Sequence, residues 1–128
     1  GDTALALAAL RGYPRVVELL VNAGASQTVP GWPPLVYAAF NGHQEIADFL
    51  LSKGAELDAA SENGMTALMA AARGGHVEVA RALLKKGANA NQRMDTGDTA
   101  LDIALRSNNT DIAKILQSAG GKSGKDGR

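Results

Sequence analysis

Apolar residues fall in short helical stripes separated by polar, glycine-marked turns, and the arrangement recurs along the chain. Between Gly64 and Thr96 the stripe Val79, Ala80, Leu83 and Leu84 has the spacing of one helix face. It predicts a helix from about Val77 to Lys86. Glu78 stands in its first turn and Lys85 and Lys86 in its last, all favourable with the helix dipole. A preceding helix is predicted from about Ala67 to Arg73, N-capped by Thr66, with Gly75 at a C′ position that calls for positive φ. The segment Ala88 to Gly97 is polar and turn-rich. Gly97 closes Met94-Asp95-Thr96-Gly97, as suits the fourth residue of a type I turn.

The same grammar opens at Gly1, Gly31, Gly64 and Gly97, each time as Gly-x-Thr/Pro-x-Leu-x-x-Ala, and closes at Gly24, Gly54, Gly87 and Gly120. Frame positions below are counted from the opening glycine. Pro34 and Pro14 occupy first helical positions, where the missing N–H costs nothing. Asn108 replaces the inter-helix glycine of the fourth frame and tolerates a left-handed conformation better than most residues. Two helices this short cannot bury their own apolar faces. Stacked repeats supply the missing burial, and a period near 33 residues predicts a solenoid.

The 128 residues carry 13 basic and 13 acidic side chains, a balance that argues against a nucleic-acid face or attraction to an anionic membrane. Aromatics make up only 4%, so the core is thin and rich in Ala and Leu, and one folding unit is expected. Without cysteine there is no disulfide or thiolate chemistry. No apolar run reaches the ~18 residues of a membrane-spanning helix, and no signal peptide is visible.

Thr66-Ala67-Leu68 through Ala71-Ala72, then Gly75-His76, then Leu83-Leu84-Lys85-Lys86-Gly87-Ala88-Asn89, resembles the ankyrin repeat. The resemblance covers about residues 1–121, with four copies in register at about 1–30, 31–63, 64–96 and 97–121. Residues 122–128 read as a flexible tail. The expected fold is therefore all-α: an ankyrin-repeat solenoid of stacked helix-turn-helix units with β-turn fingers. The usual Thr-Pro-Leu-His is Thr66-Ala67-Leu68-Met69 in the third repeat and Pro33-Pro34-Leu35-Val36 in the second, and the last repeat lacks the Gly-His pair. The texture, with its short finger before Gly31, is similar to bacterial ankyrin arrays.

Frame position 21 is Val21, Leu51, Leu84 and then Gln117; position 6 is Ala6, Val36, Met69 and then Asp102. The polar residues of the fourth frame read as a cap, whereas the first frame reads as continuing an array from upstream, with Leu5 and Val21 expected to be exposed. Gly24 to Gly31 is three residues shorter than Gly54 to Gly64, which predicts a truncated first finger stiffened by Pro30, Pro33 and Pro34.

Candidate chemistry is sparse. His43 and His76 lie one period apart and occupy the Gly-His slot at a helix junction, where the imidazole fixes the turn; nothing completes a metal site. Gly120-Gly121-Lys122-Ser123-Gly124-Lys125 fails as a phosphate loop, because Ala119 stands where the first glycine belongs and a helix precedes it. No catalytic residues, metal or cofactor are expected, and the chain is read as not an enzyme. The resemblance implies protein–protein recognition through the concave face formed by fingers and first helices. The residues mapped there are Trp32, Phe40 and Met65 as an apolar centre, Arg11, Arg73 and Arg106 nearby, and Asn41 and Asp98. Finger tips add Glu62, Asn63, Arg93, Met94 and Asp95. Trp and Arg are the types most enriched in binding hot spots. The partner is a protein, not nucleic acid or membrane. The chain itself is expected to be monomeric, with end-to-end association through the first repeat as an option. A second reading is a structural or assembly segment of a longer array. The compartment stays open between cytoplasm and, behind an upstream export signal, periplasm.

Overall fold

The computed structural model describes residues 2–25 and 32–124. Among these residues are eight helices: α1 (Asp2–Arg11), α2 (Pro14–Asn22), α3 (Pro34–Phe40), α4 (Gln44–Ser52), α5 (Ala67–Gly74), α6 (Val77–Lys85), α7 (Ala100–Arg106) and α8 (Thr110–Ser118). They pair as consecutive hairpins. The first helices α1, α3, α5 and α7 pack in one row and the second helices α2, α4, α6 and α8 in another. This is the all-helical solenoid that the period predicts. The shortened finger falls on residues 26–31, outside the described residues, as do residues 125–128 of the expected tail.

Local chemistry sets the helix ends. Thr66 accepts the Met69 N–H and Thr99 accepts the Asp102 N–H, so each N-cap hydroxyl satisfies a first-turn donor. Asp102 returns the favour by accepting the Thr99 N–H at 2.9 Å, a reciprocal capping box. Pro14 and Pro34 stand at the first positions of α2 and α3. Asn108 takes φ +60° between α7 and α8, the left-handed turn expected of it.

The core is a ladder. Frame position 5 is Leu5, Leu35, Leu68 and Leu101, and all four are buried. Position 20 adds Leu50, Leu83 and Leu116, and position 8 the small Ala8, Ala38, Ala71 and Ala104, which let first helices approach closely. Burying each leucine stabilises the stack by about 1.5–3 kcal/mol. The expectation that Leu5 lies exposed is therefore wrong. Position 5 faces into the stack, and the exposed apolar residues of the first hairpin are Leu7, Val16 and Leu19. Leu7 is two residues on, about 200° around the helix from Leu5. Val21 is only partly exposed and packs against the core.

The fingers are tied to one another. The Ser61 N–H donates to the Met65 carbonyl at 2.9 Å, and Gly97 N–H donates to the Met94 carbonyl at 2.8 Å, closing the turn predicted over 94–97. Asp95 N–H reaches the Asn63 carbonyl of the preceding finger at 3.1 Å. The chain after Gly121 is also anchored as far as it is described. Thr99 Oγ1 donates to the Lys122 carbonyl at 2.6 Å, Lys122 N–H to Asn91 Oδ1 at 2.8 Å, and Gly124 N–H to Asp102 Oδ2 at 2.8 Å.

Candidate functional site

One side of the stack is built from the ends of the first helices and the bases of the fingers. At the second repeat, helix α3 presents Tyr37 and Phe40 at i, i+3, on one side of the helix. Trp32, just ahead of it, is half-buried and joins both. Its ring centroid lies 5.1 Å from Tyr37 at a 38° tilt and 5.5 Å from Phe40 edge-to-face at 71°. Arg73, at the end of α5, places its guanidinium 5.9 Å from the Phe40 centroid. Arg73 also lines a groove of about 410 Å³ formed with Met65, Met94, Thr96, Asp98, Ile103, Arg106 and Ser107. The aromatic cluster and the groove thus share Arg73 and form one continuous surface.

Of the residues picked from sequence, Trp32, Phe40 and Arg73 come together, and Met65, Asp98 and Arg106 meet in the adjoining groove. Met65 is not an exposed anchor, however. It is 2% exposed, because the finger folds over it: its N–H is held by Ser61 Oγ and its carbonyl by Ser61 N–H. It packs in the groove floor. Asn41 is spent on the scaffold, donating from Nδ2 to the Leu10 carbonyl at 2.7 Å. Arg11 is exposed in the last turn of α1 and is not among the groove's lining residues. Tyr37 and Ile103 were missed. Both occupy frame position 7, where Leu7 and Ala70 stand in the other repeats, so only the aromatic i, i+3 pairing with Phe40 could have singled out Tyr37.

Arg106 and Asp98 form a two-pronged ion pair, with Nη2–Oδ1 2.9 Å and Nη1–Oδ2 3.1 Å. The hydrogen bond from Arg106 holds the Asp98 carboxyl below its ordinary value, against a smaller effect of burial and with help from Thr96. Asp102 is also depressed. Burial pushes it up, but N–H donors from Thr99 and Gly124 and the Ser123 hydroxyl outweigh that. Depressed carboxyls stabilise the fold fully above their ordinary value of 3.8 and lose that contribution as pH falls through the lower folded values. Acidification below about pH 4 is therefore expected to weaken the fourth repeat. Asp102→Asn should flatten the acid limb of a stability–pH curve measured by urea unfolding.

The two histidines hold the scaffold. His43 Nε2 meets the Leu10 carbonyl at 3.1 Å and His76 Nε2 meets the Phe40 carbonyl at 2.8 Å. A carbonyl only accepts, so Nε2 carries the hydrogen in both. At the third junction Asn109 Nδ2 donates to the Ala72 carbonyl, one residue earlier in the frame, as its shorter side chain requires. Hairpins two to four are thus each pinned to the terminal turn of the first helix before them. Among the described residues no three His, Asp or Glu side chains come together as a metal site, and no helix is long and apolar enough to cross a membrane.

A family profile described as ankyrin repeats (3 copies) matches residues 1–61 and 54–126. The chain belongs to the ankyrin repeat family. Similar curated proteins include the ankyrin repeat and SAM domain-containing protein 6 of Mus musculus, 39% identical over 71 residues, which are 52% of this chain and 8% of that protein. The ankyrin repeat and KH domain-containing protein 1 of Homo sapiens is 40% identical over 67 residues, 52% of this chain and 3% of that protein. Protein phosphatase 1 regulatory subunit 27 of Mus musculus is 42% identical over 67 residues, 50% of this chain and 44% of that protein. The chain thus spans well under two thirds of each. These relatives are animal proteins, which leaves the bacterial affinity without support. Ankyrin repeats generally serve protein–protein interaction, and the phosphatase relative is named as a regulatory subunit.

Proposed function

We propose that this chain is a non-catalytic recognition segment that binds a partner protein on its concave face, centred on Trp32, Tyr37, Phe40 and Arg73 and extending into the groove before α7. The observation that carries this reading is the shared Arg73. Arg73 sets its guanidinium over the Phe40 ring and also lines the groove, so aromatic area and a polar handle are presented together on the helix row. Such a patch has the make-up of an interface centre, where large aromatics and arginine lose water together and dominate affinity. Asp98 and Arg106 neutralise each other and serve the rim.

Chemical-shift mapping tests the reading. Binders are drawn from a combinatorial display library against the folded chain and titrated into labelled protein. The expected perturbations fall on Trp32, Phe40, Arg73, Met94 and Arg106. A map centred on the outer faces of α2, α4, α6 and α8 overturns it. Protein phosphatase 1 is the natural candidate for the same titration, since one relative is named as its regulatory subunit.

A further inference from the structure

The row of first-helix ends changes character along the stack. Frame position 10 is Leu10, Phe40, Arg73 and Arg106, apolar in the first two repeats and cationic in the last two. The two arginines are not equivalent. Arg106 is paired with Asp98 through two hydrogen bonds. Arg73 is exposed, and among the described residues no carboxylate pairs with it and no acceptor takes its N–H groups. Its neighbour is the Phe40 ring, a contact that leaves the planar fork of N–H donors available to a carboxylate. Two arginines and one aspartate line the groove, so one positive charge there is unbalanced, and it belongs to Arg73.

Apolar surface lies on both sides of this charge. Toward the second repeat, Trp32, Tyr37 and Phe40 are each partly exposed and offer flat aromatic area. Toward the fourth, Met94 and Ile103 line the groove above the buried Met65. The groove's volume of about 410 Å³ admits a side chain, and methionine, unbranched and polarizable, adapts to its shape. Asp98 limits what can enter. A carboxylate pushed into the groove meets Asp98 as a like charge, so an acidic group is favoured at Arg73 and disfavoured beyond it. A phosphate carries nearly two negative charges, whereas a single unbalanced guanidinium matches a single carboxylate.

We infer that this face selects a peptide segment of the partner in which one Asp or Glu stands between two apolar side chains, an inference that rests on the recognition reading above. The carboxylate takes a two-pronged pair with Arg73. One apolar side chain lies on the aromatic cluster and the other enters the groove beside Met94 and Ile103. Arg73 is then the residue that sets specificity, because it reads the sign of the charge, while the surfaces on either side of it read only apolar area.

The test draws peptides from a random display library against the full chain and places each by chemical-shift mapping. Those that map to Trp32, Phe40 and Met94 are expected to carry one Asp or Glu flanked by apolar residues. Changing that acid to its amide should weaken binding at least ~10-fold on the wild type, the effect of losing a charge-assisted pair, and less than ~2-fold on Arg73→Gln. Selection on Arg73→Glu should replace the acid by Lys or Arg. Arg73 is exposed, so both variants should stay folded, which thermal unfolding checks. Peptides that map to this face without an acidic residue overturn the inference and leave the recognition face standing. So does an acid whose amide costs as much on Arg73→Gln as on the wild type. Peptides that map to the outer faces of α2, α4, α6 and α8 overturn the recognition reading itself, and this inference with it.

Discussion

Gly42→Ala is expected to destabilise the fold by about 2–4 kcal/mol, while Gly54→Ala costs about 1–2 kcal/mol. Both glycines have positive φ, +75° and +97°, so both substitutions carry the cost of a left-handed alanine. They differ in what a methyl group would meet. A Cβ at Gly54 has nothing within 4 Å, whereas at Gly42 it would sit 2.5 Å from His76 Nδ1 and 2.8 Å from Cε1. The imidazole must move, and its bond to the Phe40 carbonyl goes with it. That leaves a polar group at the second junction without its partner. Urea unfolding of the two variants measures the difference. A double-mutant cycle with His76→Ala should show strong coupling to Gly42→Ala and none to Gly54→Ala. Equal costs at the two glycines would mean that the histidine does not pin the junction.

Trp32→Ala is expected to weaken partner binding by about 30-fold or more, the effect of losing an anchor worth at least ~2 kcal/mol at an interface centre. The fold should lose less, about 1–2 kcal/mol, because Trp32 is half-buried and gives up two aromatic contacts rather than a filled core site. Isothermal titration and thermal unfolding of the same preparation separate the two effects. Arg106→Ala should behave differently, since the guanidinium is already paired with Asp98. Its loss uncovers a carboxylate at the groove rim and should change association rate and salt dependence more than dissociation. If Trp32→Ala melts the protein and leaves the affinity of the folded fraction intact, the tryptophan is packing for the short finger and recognition lies elsewhere on the stack.

How much of this was legible in the sequence depended on whether the determining chemistry was local. Thr66 as a cap, Pro14 and Pro34 at helix starts and Asn108 in the left-handed turn all act within a turn, so spacing alone revealed them. The histidines were placed at the junctions but read as fixing their own turn, whereas each bonds the preceding hairpin. Met65 and Leu5 were misread for the same underlying reason. A frame position says where along the repeat a residue stands, not which way its side chain points. Direction follows from the finger closing on Met65 through Ser61, and from the helix rotation that turns Leu5 inward and Leu7 outward. The groove itself joins residues from two repeats through Arg73, Met94 and Arg106, and a surface of that kind exists only once the hairpins are stacked.

The strap over the start of α7 has a mechanical consequence. The chain after α8 is laid over the start of α7 and tied there by Thr99 and Asp102. Under tension applied along the stack, this strap adds to the packing that holds the repeat in place. The fourth repeat is held by this strap as well as by its junction with the third, so it resists peeling more than a junction alone would. Each 33-residue repeat released adds roughly 110–120 Å of slack. Within the stack described, the groove before α7 is therefore the part that a pull dismantles last.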